Sequence, residues 1–117
     1  MSKPRKNLEL QLKWSDLLGR LSLAVGKRPA DLNAVLYLIG IQELGKGFLE
    51  FSKEEKQDLI HIAICKVLAS SGYFVLEGID EDGWPHWKEM KSLPRLNLDE
   101  QEMLLKIHVL EYFESEL

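Results

Sequence analysis

Between Ile79 and Met90 the chain reads Ile-Asp-Glu-Asp-Gly-Trp-Pro-His-Trp-Lys-Glu-Met, which places two of its three tryptophans, one of its three histidines and four acids in twelve positions. Two chemistries fit these residue types. An imidazole oriented by a carboxylate is a general base, so His86 beside Asp80, Asp82 or Glu89 would suit a small hydrolase. Clustered carboxylate oxygens suit a hard cation, so Asp80 and Asp82 would suit a metal-dependent enzyme. Each lacks a part. No nucleophile or oxyanion donor stands beside His86. In the calcium-loop spacing that Asp80, Asp82 and Glu89 imitate, the first ligand position falls on Gly78, with no helix before it. Acids beside a glycine such as Gly83 ordinarily serve the turn itself.

The aromatic residues point to a different use. Along an extended segment Trp84 and His86 face one way while Pro85 and Trp87 face the other. One ring then caps the core, and the other stands exposed beside charge as an anchor for a partner. The competing expectation is that both rings fold onto the helices as satellite core. The candidate binding residues are therefore Trp84, His86, Trp87, Asp80 and Asp82, with no catalytic residue, metal or cofactor assigned.

Three other patterns lose their chemistry on inspection. Gly40 to Lys46 has the glycine and lysine spacing of a phosphate loop, but Gly47 offers no hydroxyl to magnesium and Glu43 puts a negative charge inside an anion cradle. A helix ending in a glycine cap explains the same residues. His61 and Cys65 lie four apart, a ligand spacing on a helix that His108 would have to complete. Without a second cysteine, the expected arrangement is a buried thiol beside a hydrogen-bonded histidine. A winged-helix DNA reader would need two helices before its wing, whereas Lys53 to Ser70 reads as one unbroken helix without a basic face.

The elements that must position the 79–90 segment read as helices. Leu10, Trp14, Leu17, Leu18, Leu21 and Val25 form one helical stripe, although Leu8 to Trp14 also alternates like a strand. Asp31 or Pro29 opens a second helix, apolar nearly all round, that stops at Gly45; it is either central in the core or covered on a second side by a partner. Ser52 with Glu55 is a capping box for a third helix to about Ser70. Tyr73 to Leu76 favours an extended conformation, and Asp82-Gly83 marks a tight turn, so a hairpin runs from Phe74 to about Lys88. Asn97 with Glu100, or Asp99 with Glu102, caps a last helix expected to bury Met103, Leu104, Ile107, Leu110 and Phe113.

The sequence thus predicts a mainly α protein, a compact bundle of about four helices with one short β-hairpin between the third and fourth. Residues 1–7 are expected to form a flexible basic arm and 8–117 a single helical domain. With 15 basic and 19 acidic side chains the net charge is −4, and Lys3, Arg5 and Lys6 are the only basic cluster, which disfavours nucleic acid. The longest apolar run, Ala34 to Ile41, is far short of the roughly 18 residues of a membrane span. A single cysteine and no secretory pattern suit the cytoplasm. The function expected is a non-catalytic protein–protein interaction or scaffolding module. It would associate with a protein partner or with itself as a homodimer, through the hairpin tip and the apolar second side of the helix from Asp31 to Leu44. The alternative is a small hydrolase or metal-dependent enzyme centred on the 79–90 hairpin.

Overall fold

Three polar side chains start three of the four helices. In the computed structural model, which describes residues 4–116 and the side chains of residues 8–115, the Ala34 amide donates to the Asp31 carboxylate at 2.9 Å and opens α2, Leu32–Leu44. Ser52 and Glu55 exchange hydrogen bonds of 3.1 and 2.9 Å at the head of α3, Lys53–Ala69. Asn97 and Glu100 do the same at 2.8 and 3.0 Å before α4, Leu98–Glu116. Each satisfies amides that have no partner within their own helix. At the far end of α2, Gly45 takes a φ of 74° and its amide closes on the Ile41 carbonyl at 3.1 Å, the glycine cap expected from the sequence.

The remaining helix, α1, spans Pro4–Val25, so the stretch from Leu8 to Trp14 is helical rather than extended. It begins inside the segment expected to be an arm, and residues 1–3 lie outside the described residues. Between α3 and α4 the strands β1, Phe74–Ile79, and β2, Pro85–Glu89, pair antiparallel as a two-stranded sheet. Leu76 stands opposite Trp87 and Gly78 opposite His86, which leaves Glu77 as an extra residue in a bulge. No described helix is long and apolar enough to cross a membrane.

The core has two parts, and α2 supplies both. Val35, Leu36 and Ile39 join Trp14, Leu17 and Leu21 of α1, Ala63, Val67 and Leu68 of α3, and Val109, Tyr112 and Phe113 of α4. Ile41 and Leu44 join Leu59 and Ile62 in a second cluster, against which Tyr37, Phe51 and Trp84 pack. An all-round apolar helix is thus central, and its second side is covered mainly from within the chain.

One expectation about the core needs correction. On α4 the buried residues are His108, Val109, Tyr112 and Phe113, while Met103 and Ile107 are exposed. Hydrophobic periodicity passed over His108 because it is polar. Both ring nitrogens are hydrogen-bonded, to Ser71 and to the Leu104 carbonyl, and this lets the ring go inside. Met103, Ile107 and Leu110 instead line a groove shared with Glu9, Leu10 and Lys13 of α1. So α4 carries apolar residues on two faces, one toward α3 and one toward α1.

Candidate functional site

The hairpin tip is built around one carboxylate. Asp80 Oδ1 accepts the amides of Asp82 and Trp84, each at 2.9 Å, and Oδ2 accepts His86 Nε2–H at 2.8 Å. The Asp80 amide donates to the Trp84 carbonyl at 2.9 Å and the Gly83 amide to the Asp80 carbonyl at 3.0 Å. With Gly83 at a φ of 87°, this is the three-residue hairpin loop that needs a left-handed glycine. The His86 hydrogen bond, followed by that of the Trp84 amide, holds the Asp80 carboxyl below the ordinary aspartate range.

The tip does not stand free. Lys46, just past the glycine cap of α2, donates its ammonium to the Asp82 carbonyl. Trp84 meets Phe51 edge to face at 6.5 Å between ring centres, and Phe51 meets Tyr37 in the same manner at 6.4 Å. Trp84 therefore belongs to the smaller core cluster. Trp87, on the strand after it, is also half-buried, and its indole N–H is buried with no acceptor among the described residues. Neither tryptophan is the exposed anchor that strand alternation suggested. Trp84 lies in the turn before β2 begins at Pro85, so the alternation of that strand does not set its direction.

The structure brings Asp80 and His86 into contact and leaves Asp82 outside that pair, engaged through its backbone. Asp80 has spent one oxygen on the turn amides and the other on His86, so it orients an exposed imidazole without gathering a cation site. Among the described residues no cluster of three histidine, cysteine or acidic side chains is arranged for a metal. His61 Nε2 and Cys65 Sγ do meet, at 3.5 Å, but His108 is engaged with Ser71 and the Leu104 carbonyl instead. Burial pushes the Cys65 thiol up to about 11, which makes it inert at neutral pH.

The larger cavities lie elsewhere. One of about 470 Å³ is bounded by Trp14, Arg28, Glu102 and Lys106. Another of about 510 Å³ is bounded by Lys66, Ser70, His108, Glu111, Tyr112 and Ser115. At the seam of α2, α3 and α4, Tyr112 donates to Glu43 at 2.7 Å and accepts from Gln42 at 2.8 Å, while Lys66 lies 3.8 Å from Glu43. Ser71 and His108 are the pair that reading the sequence missed. They are 37 positions apart, and no spacing rule connects them.

The fold is a four-helix assembly with a hairpin docked on its third helix and on the loop before it. No family model matches this chain, and no curated protein and no solved structure matches it either.

Proposed function

We propose that this protein is an interaction module that receives an extended segment of a partner protein along the outer edge of β1. Support comes from that edge itself. The sheet has two strands, so each has one unpaired side, and among the described residues no other segment hydrogen-bonds to the β1 backbone there. Val75, Leu76 and Ile79 are exposed at 45 %, 45 % and 66 %. Unpaired backbone groups beside exposed apolar side chains are what a strand-adding peptide needs: the main chain gives affinity and alternate side chains give selectivity. The opposite edge, on β2, is guarded by Pro85, which has no amide proton, and by Lys88 and Glu89.

The bulge and the charge of Glu77 favour a partner over a second copy. A centred pairing of two β1 strands would bring both bulges and both carboxylates together, and bulges and edge charges are how proteins discourage such pairing. A partner segment with apolar residues flanking one lysine or arginine complements Leu76, Glu77 and Ile79 instead, because the bulge puts Leu76 and Ile79, opposite Trp87 and Pro85, on one face. The compartment would be a reducing one, since Cys65 has no partner to form a bridge.

The test is selection of a displayed decapeptide library on the full chain, followed by amide chemical-shift mapping with the enriched peptides. The expected result is a consensus of apolar residues around one basic residue, shifts confined to Val75–Ile79, and reversal of the charge preference by Glu77→Lys. Shifts centred on the α1–α4 groove, no enriched consensus, or a homodimer in light scattering whose β1 amides are already protected would each sink the proposal.

A further inference from the structure

Ser71 and His108 are joined by a hydrogen bond whose direction the surroundings set. His108 Nδ1 lies 2.8 Å from the Leu104 carbonyl oxygen, which can only accept, so Nδ1 carries a hydrogen. In the neutral ring Nε2 then presents a lone pair, and it lies 2.7 Å from Ser71 Oγ. A hydroxyl donating to an imidazole whose other nitrogen is fixed by a third group is the arrangement of an activated serine nucleophile.

The two residues are placed by different means. Ser71 sits in the turn after α3, where its amide closes on the Leu68 carbonyl at 3.1 Å, and its own side is exposed. His108 is only 7 % exposed, held in the wall of the cavity of about 510 Å³. An exposed nucleophile on a buried, oriented base keeps the base geometry rigid while the reacting oxygen remains reachable. The cavity also carries the apolar Val67 and Ala69, the ammonium of Lys66 and the carboxylate of Glu111; Ser71 is not part of its lining and adjoins it through His108 and the neighbouring Ser70.

We propose that Ser71 and His108 form a nucleophile–base pair that takes the acyl group of a small carboxylic ester, an activity independent of strand binding at β1. Ser71 Oγ attacks the ester carbonyl carbon while its proton passes to His108 Nε2. The tetrahedral intermediate collapses, the bond to the alkoxy group breaks, and that group leaves with the proton from Nε2. Water then attacks the acyl-serine with His108 again as base, releasing the carboxylic acid and restoring the hydroxyl. The neighbouring hydroxyls are already committed, Ser70 to the Val67 carbonyl and Ser115 to those of Glu111 and Tyr112. Stabilisation of the oxyanion is therefore weak in both steps. With an activated aryl ester as donor the hydrolysis of the acyl-serine, itself a less reactive alkyl ester, is the slower step, so the acyl-serine accumulates and is seen by mass rather than by turnover.

The test uses the full chain and p-nitrophenyl acetate as the acyl donor. Intact-mass and peptide analysis should find one acetyl group on Ser71 in the wild type and in Ser70→Ala, and none in Ser71→Ala or His108→Gln. Because His108→Gln alters a buried residue, a second measurement leaves the histidine in place. The thiol of Ser71→Cys should react with iodoacetamide at pH 6 at least about tenfold faster than an unperturbed thiol, which ionises near 8.5, because the imidazole holds its proton. Cys65 stays silent in that assay. A wild-type chain that carries no acetyl group on Ser71, or a Ser71→Cys thiol with the reactivity of an unperturbed cysteine, would overturn the proposal and leave the pair as a tie between the α3–β1 turn and α4.

Discussion

Gly40 of α2 faces the backbone of Leu59 on α3 so closely that a methyl group built on it would lie 2.7 Å from the Leu59 carbonyl carbon and 2.9 Å from its Cβ. The two helices, which share the most extensive packing among the helices of the fold, touch here through bare backbone. Glycine in a helix interior is unfavourable by roughly 0.5–1 kcal/mol relative to alanine, and that cost is accepted here because nothing larger fits.

Gly40→Ala should therefore destabilise the protein by about 3 kcal/mol or more, since the obstructing atoms include backbone that cannot swing aside. Gly19→Ala is the matched control. Its methyl would meet only the far end of the Arg28 side chain at 3.9 Å, so the same change should stabilise by about 0.5–1 kcal/mol. Urea unfolding of both variants measures the contrast, and equal effects would mean the α2–α3 approach is looser than described.

The two tryptophans should respond differently to truncation. Trp84→Ala removes a half-buried ring from Phe51 and the second cluster and should cost about 2 kcal/mol, below the roughly 3–5 kcal/mol of a fully buried aromatic. Trp87→Phe keeps a ring in place while deleting an indole N–H that is buried without an acceptor. It should be neutral or stabilising by up to about 1 kcal/mol. A loss of more than that on Trp87→Phe would show that the indole N–H is satisfied in solution.

Acid should loosen the hairpin tip. The Asp80 carboxyl is held below its ordinary pKa, first by His86, so its contribution is fully present above the unfolded value near pH 4 and is lost as the pH falls through the lower folded value. Carboxyl carbon shifts of Asp80 followed by NMR should show the depressed midpoint, and His86→Ala should move it back toward that of a free aspartate. An unchanged midpoint in His86→Ala would assign the depression to the turn amides alone.

Cys65, with its thiol pushed up to about 11, should resist iodoacetamide at pH 8 in the folded chain and react readily once urea unfolds it. Alkylation of the native protein at the rate of a free thiol would mean that α3 opens locally around His61 and Cys65.

Much of the scaffold was legible because it rests on local rules. Ser52 and Glu55, Asn97 and Glu100, Asp31, Gly45 and the Asp82-Gly83 turn all act within a few residues of their own backbone, and each behaves as its chemistry requires. The site was less legible for the same reason. Asp80 and His86 lie six apart across a turn and could be paired from spacing, but whether Trp84 faced solvent depended on Phe51, some thirty residues earlier, and on Lys46. The α4 face was misjudged because a polar residue counts as outward in a hydrophobic pattern. His108 and Tyr112 go inward only when Ser71, Glu43 and Gln42 arrive to satisfy them.

The amino-acid sequence by itself determined α2, α3 and α4 with their caps and the hairpin, because capping, glycine conformation and hydrophobic periodicity are set by neighbours along the chain, but it left Leu8 to Trp14 of α1 open between strand and helix. Tertiary structure alone decided that α2 is enclosed on both sides, that both tryptophans are half-buried, that β1 keeps an open edge, and that Ser71 meets His108. Those outcomes depend on contacts between residues far apart in the chain, where burial of a polar group becomes favourable only once a distant partner is in place.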